Sequence, residues 1–152
     1  KKKIIEIGPG PGGLTRSILL EGAESIVAIE KDLRMIDCLK ELKTICDKKL
    51  TLINDDILNL TLNSLGPFPK SILGNLPYNI SSKLIVSWLK EIHYNKNIKI
   101  DNITITIQKE LADRLISNKE TAIPLLRAVI EAASRIMRVT SEAAFKGISI
   151  SN

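Results

Sequence analysis

An α/β fold with a mainly parallel sheet and helices on both faces is predicted for this chain, and three observations predict it. Short β-branched runs alternate with longer stretches of helical spacing, in the order strand, helix, strand, helix. A glycine-rich turn separates the first run from the first helical stretch, and an acidic residue closes the second run. The 152 residues are 44% hydrophobic and 26% charged, which suits one domain that buries its core without a disulfide or metal staple.

Each element follows from its residues. Lys3-Ile4-Ile5-Glu6-Ile7 is short and β-branched, and reads as a strand. Gly8 to Gly13 make a turn that opens a helix from about Leu14. Ser25 to Glu30 is a second strand, and Asp32 to Cys46 carries Met35, Ile36, Leu39, Leu42 and Cys46 at helical spacing. Leu50 to Ile53 is a third strand. The break Gly66-Pro67-Phe68-Pro69 precedes a fourth, Ser71 to Leu73. Ser81 to Ile92 places Leu84, Ile85, Trp88, Leu89 and Ile92 on one helical face, and Asn102 to Ile107 alternates Ile with Thr as a strand does. From Lys109 the pattern turns helical, through Leu111, Leu115 and Ile116. It resumes as an amphipathic helix from Ile123 to Met137, with Pro124 tolerable in its first turn. Past Thr140 the pattern fades. In such a sheet the crossovers are right-handed and ligands gather at the carboxyl ends of the strands, near the switch point.

Composition narrows the function. No apolar run approaches the ~20 residues of a membrane span and no signal-peptide pattern appears, so a membrane protein, a secreted disulfide scaffold and a fibrous chain are not expected. Cys38 and Cys46 fit no metal-ligand spacing; reduced thiols in a cytoplasmic setting, and no metal site, are expected. Lys and Arg number 22 against 17 acids, a net charge of +5, which suits a polyanionic partner such as RNA. His93 reads as a surface histidine, and Ser81 and Ser82 as helix-start residues. Lys31, Arg34, Lys40, Lys43, Lys48 and Lys49, on and after one helix, read first as a solvated face and second as an RNA contact. Lys109 and Arg114, after the last clear strand, are the better RNA contacts.

Glu6-Ile7-Gly8-Pro9-Gly10-Pro11-Gly12-Gly13 lies between a strand and a helix, where glycine lets the backbone approach a ligand closely. Glu30 ends the next strand, in the place where a carboxylate accepts hydrogen bonds from ribose hydroxyls. The dinucleotide fingerprint G-x-G-x-x-G is spaced for a pyrophosphate; here the glycines fall as G-P-G-P-G-G, and no Lys-Ser or Lys-Thr follows them as in a P-loop. With an acid two residues before the first glycine, their order is that of S-adenosylmethionine sites. Of the acids in Asn54-Asp55-Asp56-Ile57-Leu58, Asp56 is preferred as acceptor for an adenine amino group, and Asp55 as a cap.

Gly74-Asn75-Leu76-Pro77-Tyr78-Asn79-Ile80-Ser81 follows the fourth strand. An exocyclic adenine amine is a poor nucleophile, because its lone pair is delocalised into the ring. The Asn75 side-chain carbonyl and the Leu76 backbone carbonyl can accept its two hydrogens and aim the nitrogen at a methyl group. Pro77 fixes the backbone and removes a competing N–H. Tyr78 offers a face for an unstacked base. No charged general base is needed, since the proton can leave after transfer.

These motifs together resemble the ribosomal RNA adenine dimethyltransferase family, in its small-subunit branch, from about Lys3 to Leu115 and including Gln108-Lys109-Glu110-Leu111-Ala112-Asp113-Arg114. The resemblance implies a Rossmann-like methyltransferase fold, S-adenosylmethionine as donor, and dimethylation of two adjacent adenines near the 3′ end of 16S rRNA in immature 30S particles. It implies cofactor contacts at Glu6, Gly8, Gly10, Glu30 and Asp56, with Asn75 touching both cofactor and target. A monomer is expected. The runner-up activities are the resistance-type 23S rRNA adenine methyltransferase and a non-catalytic RNA-binding assembly factor. Residues 1–118 are expected to be the cofactor-binding core and 119–152 a helical tail. The family's Gly-Gln-x-Phe-Leu segment would lie before Lys1, and the chain, which begins on Lys, is expected to be a piece of low activity by itself.

Overall fold

The computed structural model describes residues 2–46, 48–67, 70–110, 137–142 and 145–151. Its elements run β1 (Lys3–Ile7), α1 (Gly13–Leu20), β2 (Ser25–Glu30), α2 (Leu33–Ile45), β3 (Leu50–Asn54), β4 (Lys70–Asn75), α3 (Tyr78–Tyr94), β5 (Ile100–Thr106), β6 (Met137–Glu142) and β7 (Phe145–Ser151). Two short 3-10 turns, Ile57–Asn59 and Leu62–Leu65, bridge β3 and β4. The strands form one sheet in the order β3-β2-β1-β4-β5-β7-β6. The first five are parallel, and β7 inserts antiparallel between β5 and β6.

Alternation along the strands explains why both faces carry helices. Ile5, Ile7, Ile29, Ile72, Ile103 and Ile105 point to one side, where they pack with Leu84, Ile85, Trp88 and Leu89 of α3. Ile4, Ile26, Ala28 and Leu50 point to the other, against Ile18 of α1 and Leu42 of α2. The chain leaves β1 toward β2 and β3, then crosses to β4 on the opposite side of β1. The switch point therefore falls between β1 and β4, and in sheets of this kind ligands bind beyond the carboxyl ends of the strands there.

The tail differs from its expectation. Residues 137–142 and 145–151 are strands of the same sheet, not helix. Gly147-Ile148-Ser149-Ile150-Ser151 has the two-residue alternation of a strand, and β7 finds the open edge of β5, pairing Ile103 with Ile150 and Ile105 with Ile148. Met137, the last residue of the expected helix, instead opens β6. The rest of that helix, Arg114, and the stretch from Leu111 to Ile116 lie outside the described residues.

Candidate functional site

The glycine-rich turn is a bend at the carboxyl end of β1, with Gly8, Gly10 and Gly12 at φ of 64°, 55° and 87°. Such angles are open to glycine and strained for other residues. The Gly8 N–H donates to the Ile29 carbonyl at 3.0 Å, tying the turn to β2. A side chain at Gly10 would meet nothing within 4 Å, so its backbone faces open space. At Gly12 a Cβ would lie 2.5 Å from the tip of the Leu39 side chain on α2, so any other residue here would have to displace that leucine as well as hold a positive φ.

Glu30 is half-buried at the end of β2 and both its oxygens are engaged. One accepts from the Gly10 N–H at 3.2 Å and the other from the Asp32 N–H at 2.9 Å. The carboxylate thus spans the turn and the start of α2, and each oxygen keeps a second lone pair for a ligand. Asn54, which sequence reasoning passed over, donates its amide to the Glu30 carbonyl at 2.9 Å and holds β3 and β2 together at this edge.

Glu6 is different. It is 1% exposed, and neither carboxylate oxygen has a hydrogen-bond partner among the described residues. Alternation puts its side chain on the α1 face with Ile4, where Thr15 of α1 is fully buried. Burial pushes the carboxyl pKa up, and the facing Thr15 hydroxyl offsets part of that rise.

Both acids after β3 cap the turn that follows. Asp55 accepts from the Asp56 N–H at 2.7 Å and from Asn59 at 2.9 Å. Asp56 accepts from the Leu58 N–H at 3.0 Å, and its other oxygen lies 3.9 Å from the Lys31 ammonium. Capping, expected of Asp55, is therefore shared by Asp56, which keeps one oxygen turned to a cation.

Asn75 ends β4 directly across from the turn. Ile7 pairs with Gly74, and a Cβ at Gly8 would lie 3.9 Å from the Asn75 carbonyl. Gly74 eases this approach, since a Cβ there would sit a tight 3.1 Å from the Ile7 backbone oxygen. The Asn75 side-chain oxygen accepts from the Thr106 hydroxyl, a partner that sequence reasoning missed. Strand register brings the two together, pairing Asn75 with Thr106, and register is not readable from either strand alone. Leu76 is 2% exposed and anchors its backbone in the core. Pro77 caps α3, and its carbonyl accepts from the Ser81 hydroxyl at 2.9 Å. Tyr78 opens the helix, its ring 64% exposed. Lys109 is exposed three residues beyond Thr106. His93 is exposed, its ring edge-on to Tyr94.

Glycines, acids and an asparagine gathered at the switch point of a parallel sheet belong to the Rossmann-like methyltransferase class, and solved structures of that class share the fold. A dimethyladenosine transferase from Plasmodium falciparum aligns with a TM-score of 0.69 at 25% identity, over 98% of this chain and 55% of that one. The 23S rRNA methyltransferase ErmE aligns with a TM-score of 0.73 at 21% identity, over 100% of this chain and 62% of that one. The chain belongs to the ribosomal RNA adenine dimethylase family, whose pattern matches residues 1–144. Among curated relatives, the ribosomal RNA small subunit methyltransferase A of Jannaschia sp. (strain CCS1) is 39% identical over 114 residues, 75% of this chain and 39% of that protein. The protein of the same name from Rhizobium meliloti (strain 1021) is 46% identical over 86 residues, 57% of this chain and 31% of that protein. The chain thus spans less than half the length of these relatives.

Proposed function

We propose that this chain carries the cofactor-binding and catalytic face of an enzyme that dimethylates the N6 amines of two adjacent adenines near the 3′ end of small-subunit (16S) rRNA. The observation that carries the reading is the juxtaposition of Asn75 with Gly8 across the switch point, with Tyr78 exposed three residues on. The names of the curated relatives support small-subunit rRNA as substrate. The enzyme is proposed to act as a monomer on immature 30S particles in the cytoplasm.

S-adenosylmethionine supplies an electrophilic methyl carried on a sulfonium. The residues present fit that cofactor: the orphaned Glu6 carboxyl can receive its ammonium, and Gly8 and Gly10 leave room for backbone approach. Free lone pairs on Glu30 suit ribose hydroxyls, and the outer oxygen of Asp56 suits an adenine amino group.

On the substrate side, the Asn75 side-chain oxygen and the Leu76 carbonyl accept the two amine hydrogens and hold the nitrogen toward the methyl. Thr106 fixes the Asn75 amide in rotation, so it is a positioning residue. The buried Leu76 side chain and the missing N–H of Pro77 keep the carbonyl from swinging or being capped. Tyr78 stacks on the extruded base, worth about 1–3 kcal/mol by comparison with other base–aromatic contacts. The amine proton leaves to solvent after transfer. Lys109, exposed three residues beyond Thr106, is a proposed phosphate contact, and Arg114 is proposed for the same role from its sequence position alone.

The test is incorporation of labelled methyl into immature 30S particles by the protein that carries this chain. Asn75→Ala is expected to lower the rate by about 100-fold or more, as loss of one oriented polar partner does elsewhere. An undiminished rate in that variant, or label appearing on large-subunit rRNA, would overturn the reading.

A further inference from the structure

Cations divide unevenly between the two edges of the sheet. At the carboxyl edge Lys31 lies 3.9 Å from Asp56, and Arg34 lies 2.6 Å from Asp32. At the amino edge, remote from the site, lysines stand in a row: Lys49 before β3, Lys2 and Lys3 at β1, Lys70 at β4 and Lys99 before β5. Backbone hydrogen bonds fix them on neighbouring strands. Ile26 N–H donates to the Lys49 carbonyl, Glu24 N–H to Lys2 and Lys70 N–H to Lys99. With strands about 4.8 Å apart, the row from β3 to β5 spans roughly 19 Å.

Few acids answer it. Glu24 lies 3.9 Å from Lys3, Glu21 lines one hollow with Lys2, Glu91 is engaged by the Leu62 N–H, and Asp101 follows Lys99. Among the described residues no carboxylate comes within 4 Å of Lys2, Lys49 or Lys99, all of them exposed. Lys70 is buried and donates to the Leu65 carbonyl, with no acid beside it. Burial and the charge of Lys3 together hold its pKa below the ordinary lysine value. Tyr94, 74% exposed at the end of α3, adds an open aromatic face at the same edge. Cations interleaved with an accessible ring are the chemistry that grips phosphates and stacks a base.

We propose that the amino edge of the sheet, through Lys2, Lys49, Lys99 and Tyr94, is a second RNA-binding surface that takes the phosphate backbone of an rRNA segment distinct from the one entering at Tyr78. The inference rests on the reading of the chain as an rRNA methyltransferase. A strand's length, about 17–20 Å, separates the two edges, so one nucleotide cannot serve both. Lys49 thereby parts from the solvated face of α2 with which its sequence position grouped it.

The experiment measures binding of the 3′-terminal domain of small-subunit rRNA as a function of salt. The variant is Lys2→Gln/Lys49→Gln/Lys99→Gln, and Lys40→Gln/Lys43→Gln/Lys90→Gln serves as charge-matched control. Loss of three phosphate contacts should flatten the slope of log affinity against log salt by about 2, at ~0.7 per contact. Between about 50 and 200 mM salt the parent chain should then lose roughly 18-fold more affinity than the variant. Unchanged slope in the variant, equal flattening in the control, or no RNA binding by the parent would overturn the proposal. So would loss of binding to phosphatidylserine vesicles with RNA binding intact, which would assign the edge to a membrane. Methyl transfer is read separately: an active enzyme with an unchanged slope sinks this inference alone, whereas the expected slope without methyl transfer sinks only the proposed activity.

Discussion

Glu6 holds a carboxyl that the fold has taken out of water without giving it a hydrogen-bond partner among the described residues. Desolvation favours the neutral form, and the pKa rises from its ordinary 4.5. The folded chain therefore keeps a proton that the unfolded chain releases. Stability should be unaffected by Glu6 below about pH 4.5. It should fall as pH climbs through the interval up to the raised value, and level off above it. Glu6→Gln removes that slope. Urea denaturation of both proteins from about pH 4 to pH 8 checks it: the stability gained by the variant should grow with pH, and a pH-independent difference would mean that the carboxyl is not held neutral. Around this residue the chemistry was legible as letters. Glu6, Gly8 and Glu30 could be picked out because a strand end, a glycine turn and an acid recur at fixed places along the chain. Thr106 and Asn54 could not, since each matters only through a residue on another strand.

Helix α3 begins at Tyr78, three residues ahead of the expected Ser81. Pro77 supplies the preset φ of an entry residue, and the Ser81 hydroxyl folds back onto its carbonyl, so the polar residues sit inside the first turn. That early start matters to the site, because it fixes Tyr78 on a helix rather than in a loop. Farther along, Trp88 is 1% exposed and locks α3 to β1, β4 and β5. Trp88→Ala should destabilise the fold by about 3–5 kcal/mol, read from the urea midpoint. Trp88→Phe should recover much of that loss, because the buried Trp88 N–H has no acceptor among the described residues and its removal forfeits no hydrogen bond.

For the molecule as a whole, the proposed cofactor site is a property of the sheet, since the residues assigned to it stand at the carboxyl ends of β1, β2, β3 and β4. A ligand held by several strands at once stabilises the folded state by mass action. S-adenosylmethionine at about 100 times its Kd should add about 2.7 kcal/mol, which for a chain of this size raises Tm by roughly 5–11 °C. Glu30→Ala, which cuts the link between Gly10 and Asp32, should abolish most of that shift while leaving the ligand-free protein folded. Thermal unfolding with and without the cofactor decides it, and an undiminished shift in the variant would remove Glu30 from the binding set.

Local order came from the chain alone. β1 and β2 were legible to the residue, because Ile4-Ile5 and Ile26-Val27 are β-branched runs bounded by turn residues, and the family motifs are short, contiguous strings. Tertiary structure decided what lies beside what. It set Asn75 against Gly8, bound Asn75 to Thr106, lined up lysines from four strands on one edge, and drew 145–151 into the sheet beside β5. The reason is physical: hydrophobic period and turn chemistry act over a few neighbours, whereas strand order and register are settled by which unpaired edges and apolar faces remain once the first elements have packed.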